Sequence, residues 1–178
     1  MLPYLFLITL VSFCSVLDYV KLNTKSRKIL LVLLIGLLIM FCGTRFETGN
    51  DWTAYVDTFN RIPPFESLCN NPEMFVVSRM EPGYVILNSI VKSLGGTIDI
   101  VFLISCIITV GLLFIALNRY SFFCFLAILL YMRYGYLQAN MMFVRQGIAV
   151  SIFFISLKYV EAVSYTHLRA HETKANLV

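Results

Sequence analysis

Directly after an apolar run the chain reads Arg45-Phe46-Glu47-Thr48-Gly49-Asn50-Asp51-Trp52-Thr53-Ala54-Tyr55, a cation, two carboxylates and three aromatics at a membrane-type boundary. An arginine fork fits phosphate or carboxylate bidentately. A nearby carboxylate, Glu47 or Asp51, can serve as a base or position a hydroxyl. Trp52 and Tyr55 can stack on a sugar ring. The same residues also suit a plain interfacial anchor, with the aromatics at headgroup level and the charges solvated, and spacing alone leaves both readings open.

Two further clusters follow. Glu81-Pro82-Gly83-Tyr84 reads as a helix start, with Asn88 one turn beyond Tyr84 on the same face. Its bland alternative is a simple cap. Asn140-Met141-Met142-Phe143-Val144-Arg145-Gln146-Gly147 sets Arg145 among apolar residues at the start of a span, where an unpaired charge calls for a partner or an anionic ligand. Snorkelling to the headgroups is the alternative for Arg145, and more so for Arg133, which lies among Tyr131, Tyr134 and Tyr136.

The elements that must position these residues are set by composition. In 178 residues, 59% are hydrophobic and 13% charged, and the mean hydropathy is +0.81. A soluble globule carries about 25% charged residues. The expected fold is therefore an all-α, polytopic integral membrane protein, with no room for a separate soluble catalytic domain. Apolar runs at Leu2 to Leu17, Ile29 to Thr44, Ile100 to Leu117, Ser121 to about Leu137 and Gly147 to about Tyr159 predict about five transmembrane helices. The stretch from Tyr84 to Leu94 is too short to span and is expected as an interfacial or re-entrant helix on the outer side. Lys21, Lys25, Arg27 and Lys28 place the first loop in the cytoplasm, so that residues 45–82 and Arg145 share the external side.

Other classes find little support. The basic cluster has no folded domain or aromatic platform beside it, so no nucleic-acid partner is expected. Cys14, Cys42, Cys106 and Cys124 lie in apolar runs and only Cys69 in a polar one, which gives neither a disulfide framework nor a CxxC metal site. Beyond Ala162 the texture changes abruptly. Residues 163–178 hold both histidines, His167 and His171, and resemble a translated adapter read-through. They are set aside as a non-native tail, leaving a membrane domain over 1–162 expected to be the N-terminal part of a longer protein.

Taken in order, Arg-x-Glu-x-Gly-x-Asp-Trp-x-x-Tyr, Glu-Pro-Gly-Tyr and Arg-Gln-Gly-Ile-Ala resemble the EpsG family of exopolysaccharide and Wzy-like O-antigen polymerases. The resemblance implies joining of polyprenyl-pyrophosphate-linked oligosaccharide repeat units on the outer face of the bacterial cytoplasmic membrane, without a cofactor. Membrane lipid and other polysaccharide-export components are its implied partners. It places Arg45, Glu47, Asp51, Tyr55, Glu81, Tyr84, Arg145 and Gln146 on motif positions. Trp52 stands where the family usually has tyrosine. Glu47, Asp51 and Glu81 are then the candidate catalytic carboxylates. Arg45, Trp52, Tyr55, Tyr84, Arg145 and Gln146 are the candidate substrate-binding residues. A transporter or flippase-like protein for a lipid-linked glycan is the main alternative, and a non-catalytic assembly subunit the third. A transporter should show broken helices or inverted repeats, and no internal repeat is visible in the sequence.

Overall fold

The computed structural model describes residues 2–20, 22–71, 73 and 80–175, with side chains through residue 160. All regular structure among them is helical. In chain order the elements are α1 (Leu2–Val16), α2 (Thr24–Gly43), α3 (Trp52–Arg61), α4 (Phe65–Asn70), α5 (Pro82–Ser93), α6 (Ile98–Tyr120), α7 (Cys124–Tyr134), a π turn (Gln138–Met142) and α8 (Val144–Ala175).

Two helices, α2 and α6, have both the length and the apolar composition to cross a bilayer, with 20 and 23 residues. At ~1.5 Å per residue each reaches the ~30 Å of a hydrocarbon core. The apolar helices α1 and α7 are shorter, at 15 and 11 residues. Large apolar side chains such as Phe6, Phe13, Leu33, Ile107, Ile115 and Phe153 stand exposed around the bundle. Water does not tolerate so broad an apolar girdle, whereas lipid does.

The bundle is built by packing α6 against α2 and α8, and α1 against α7. Gly43 makes the first contact close, since a Cβ there would sit 2.7 Å from Leu103 Cδ1. Leu7, Val11, Leu34, Leu38, Val110, Phe125 and Ile128 form the main core. Deep within it, the Tyr136 hydroxyl donates to the Leu38 carbonyl. A second, smaller core gathers Tyr55, Phe59, Tyr84, Val91, Phe102 and Val144, joining the polar loop to the N-terminal ends of α6 and α8.

At the opposite end an ionic knot ties three elements. Asp18, with a fully buried side chain, pairs with Arg27 at 2.9 Å and accepts from the Leu126 N–H at 2.8 Å. Arg27 also donates to the Phe122 carbonyl at 2.8 Å. Asp18 thus supplies the first turn of α7 with the acceptor that its own N-cap, Phe123, lacks.

Helix boundaries depart from the expected ones in instructive ways. The start of α2 lies at Thr24, because Asn23 accepts from the Lys25 N–H and the basic residues continue the helix. The run expected to be helical from Ser121 to about Leu137 stops at Tyr134, where Gly135 breaks the ladder ahead of the π turn. Where a helix was expected over Gly147 to about Tyr159, α8 begins at Val144 and its backbone runs unbroken to Ala175. The change of texture at residue 162 is therefore no helix boundary, and Leu168, Ala170, Glu172 and Lys174 are all good helix formers. The side chains of His167 and His171 lie outside the described residues.

Helix α5 has 12 residues, about 18 Å, short of a bilayer crossing. It lies along α3 and α4 instead. Lys92 donates to the Phe59, Asn60 and Ile62 carbonyls at 3.0, 2.9 and 2.7 Å, closing the C-terminus of α3 with an ammonium. Ser89 donates to the Pro63 carbonyl and Ser93 accepts from the Phe65 N–H.

The buried acceptor at Asp18 gives the first expected outcome. Asp18→Ala removes the ionic partner of Arg27 and orphans the Leu126 N–H, and should cost about 1.5–3 kcal/mol per charged hydrogen bond lost. Thermal unfolding in detergent should show a clear drop in midpoint, whereas Asp99→Ala, at an exposed helix start, should leave it nearly unchanged.

Candidate functional site

The site is organised by the π turn. The Phe143 N–H bonds back to the Gln138 carbonyl at 2.7 Å, five residues earlier. Such a turn is one residue wider than an α turn and leaves neighbouring carbonyls without helical partners. Asn140, 1% exposed, braces it from within by donating to the Tyr136 carbonyl at 2.8 Å and the Tyr131 hydroxyl at 3.0 Å.

The polar loop supplies what the turn lacks. Arg45, 5% exposed, donates from Nη1 to the Asn140 carbonyl at 2.9 Å. Its guanidinium stacks on Phe102, with Cζ 4.0 Å from the ring centroid. The Tyr55 hydroxyl donates to the Met142 carbonyl at 3.2 Å. Between these two, Gly49 passes so close that a Cβ would lie 2.4 Å from the Met141 carbonyl oxygen, and its φ of +105° favours glycine independently. On the other side Gly147 abuts the Ala139 carbonyl in the same way, also at 2.4 Å.

Around this frame the aromatic rings close in. Tyr55 packs edge-on against Tyr84 and Phe102, at centroid distances of 5.7 and 5.9 Å. Both tyrosines are buried, so the expectation that Tyr55 offers an open face to a sugar does not match its place in the structure. Its ring is spent on packing and its hydroxyl on the turn. Trp52 is half-buried, 5.9 Å from Phe46, and keeps part of its ring accessible.

Arg145, in the first turn of α8, forms an ion pair with Glu81, the N-cap of α5. The cation sits at the positive end of its own helix, an unfavourable place that the carboxylate relieves. Burial alone would raise the Glu81 carboxyl, but its own backbone N–H and the Arg145 guanidinium together hold it below the ordinary carboxylate value. Burial pulls Arg45 below the usual guanidinium value, yet arginine stays charged at any physiological pH. Burial likewise pushes the Tyr84 hydroxyl up, so it remains protonated and able to donate.

Several of these groups hold unspent donors. Arg45 Nε and Nη2, Arg145 Nε, Trp52 Nε1 and the Tyr84 hydroxyl are buried and make no hydrogen bond within the protein, alongside two amide acceptors, Asn88 Oδ1 and Asn140 Oδ1. The Nε–Nη2 edge is the one that grips phosphate or carboxylate side-on. Arg45 also lines an open cleft of about 260 Å³ with Thr44, Phe46 and Asp99.

The structure does not gather every residue singled out from sequence. Glu47, exposed at φ 47°, and Asp51, the N-cap of α3, make no ion pair or side-chain hydrogen bond among the described residues. Gln146 points away from Arg145 into a separate cleft of about 340 Å³, lined by Thr109, Tyr131, Tyr134, Gln138 and Phe154 among others. Conversely, Asn140, Phe102 and Lys92 carry structural weight that motif reading missed. For Asn140 the signal was an amide inside an apolar run.

These features define a class: an all-helical protein with apolar helices of membrane-crossing length and two arginines with unspent donors where a polar loop meets a π turn. The chain belongs to the EpsG family, whose model matches residues 28–167 and so takes in all three motifs. The match also extends five residues into the stretch set aside as a tail. No curated protein and no solved structure matches the chain.

The Glu81 environment has a pH signature. A carboxyl whose folded pKa lies below its unfolded value contributes stability that is complete above the unfolded range, about 4.3, and is lost as pH falls through the folded value. The stability gap between wild type and Glu81→Gln should thus be constant from neutral pH to about 5 and close at lower pH, as read from thermal midpoints across that range.

Proposed function

We propose that this protein is a membrane glycan polymerase that joins polyprenyl-pyrophosphate-linked oligosaccharide repeat units on the outer face of the bacterial cytoplasmic membrane, with α2 and α6 among about five spans. The observation that carries the reading is the buried Arg45, whose Nε–Nη2 edge is unspent beside the free donors of Arg145, Trp52 and Tyr84. Family membership supports the same substrate class.

In this reading a non-reducing-end hydroxyl of one repeat unit attacks the anomeric carbon of another chain. The anomeric C–O bond breaks, and its electron pair leaves on the polyprenyl pyrophosphate. The leaving group gains a negative charge in that step. Arg45 and Arg145 are placed to stabilise it in a poorly hydrated setting, where fixed donors act most strongly. The hydroxyl proton passes to a carboxylate. Glu81, held deprotonated by Arg145, is a weak base and suits an orienting role; Glu47 and Asp51, without partners, are left for proton abstraction. Trp52 offers the accessible ring for a sugar. Gln146, in its own cleft, is on hand for a different part of the substrate.

One feature favours a second reading. The backbone departs from regular helix at Gly135 and again in the π turn, and interrupted helices are characteristic of transporters. A flippase-like protein would use the same arginines to hold an anionic lipid-linked sugar in transit.

The two separate in a strain lacking its own polymerase, complemented with the full reading frame from the source genome. A polymerase yields a surface glycan ladder that collapses to single repeat units in Arg145→Ala, with polymer reduced about 10²–10³-fold for the loss of one charge-stabilising group. A transporter variant loses single units from the surface as well. An unchanged ladder in Arg145→Ala removes the arginine from the mechanism.

A further inference from the structure

The spacing Arg45, Gly49, Tyr55 has a use beyond substrate contact. Three consecutive carbonyls of the π turn, those of Asn140, Met141 and Met142, are met in order by Arg45 Nη1, the bare Cα of Gly49 and the Tyr55 hydroxyl. From the other side, Gly147 seats against the Ala139 carbonyl. Every carbonyl from 139 to 142 is therefore touched by one of the two motifs.

We infer that Arg45, Gly49 and Tyr55 form a clamp that fixes the π turn and so aims Arg145, making Gly49 and Tyr55 positioning residues. The connection is short: Arg145 follows the clamped Met142 by three residues, and Phe143 between them is held by its 2.7 Å bond to Gln138. The clamp is also electrostatic. The carbonyls it grips are the negative C-terminal end of the broken helix, a favourable place for a guanidinium and one that compensates part of its burial. Arg45 thus divides its fork, with Nη1 on the turn and Nε–Nη2 left for the anion. The Tyr55 hydroxyl also lies within reach of the Arg145 guanidinium, so it bears on Arg145 directly as well as through the turn.

The clamp is separable from catalysis, although its bearing on Arg145 chemistry rests on the polymerase reading. The test is amide hydrogen exchange on the full chain in detergent, comparing peptides over 138–147 with peptides from α2 and α6. Tyr55→Phe keeps the ring and removes one hydrogen bond of about 1 kcal/mol, so exchange over 138–147 should rise about fivefold while α2 and α6 are unchanged. Gly49→Ala, blocked both by its φ and by the Met141 carbonyl, should raise it further. If Gly49→Ala fails to fold, Tyr55→Phe decides alone.

A second readout is one that loose packing elsewhere would not move. If the clamp aims Arg145, the stability gap caused by Glu81→Gln should shrink in the Tyr55→Phe background. Unchanged exchange over 138–147 in Tyr55→Phe overturns the clamp, and an unchanged Glu81→Gln gap overturns its role in aiming Arg145. Faster exchange in a chain that makes no polymer in any form keeps the clamp and discards the polymerase. A ladder lost in Arg45→Lys with normal exchange does the reverse.

Discussion

A π turn exposes more backbone carbonyls than its own amides can satisfy, and in an apolar setting those carbonyls must find donors. The architecture at this end of the molecule answers that demand. Arg45 and Tyr55 come from a polar loop distant in sequence, and Asn140 braces the turn from inside. A charge that would otherwise be too costly to bury is accepted because it meets a helix C-terminal end and an aromatic face. The loop and the turn brace each other.

That mutual dependence explains how the remaining pieces are placed. The short helices α3 and α5 lie side by side, latched by Lys92 across the C-terminus of α3, and present Glu81 to Arg145 at the far end of α5. At the opposite end of the bundle, the buried Asp18 knot performs the corresponding service for α1, α2 and α7. The middle of the molecule is ordinary apolar packing. Polar chemistry is concentrated where the chain changes direction.

Much of this was legible in the sequence because it follows from composition and periodicity. An uncharged run of the length found at α6 has few folding options, and the helix start at Glu81-Pro82 is written in residues with a clear physical preference. The ion pair between Glu81 and Arg145 joined two clusters that had been singled out separately. The π turn was not legible, because Gln138-Ala139-Asn140-Met141-Met142 has no proline or glycine to announce a break, and its conformation depends on donors about 95 residues away in the chain. The burial of Tyr55 was missed for a related reason: spacing places a tyrosine at a boundary but does not say which way it faces. Glu47 and Asp51 were legible only as carboxylates, and the structure leaves them unengaged.

Arg145 and Gln146 are consecutive residues on one helix, yet they serve different compartments, the arginine facing Glu81 and the glutamine facing the cleft beside Tyr131 and Tyr134. Neighbours on an α-helix are turned by ~100°. Phe143, at φ −106° and ψ 53°, ends the π turn, and α8 starts afresh beyond it. That one residue therefore sets the phase of α8. It works as an index, deciding which of two adjacent side chains is presented to the charged side of the partition and which to the neutral one, without altering the composition of either wall.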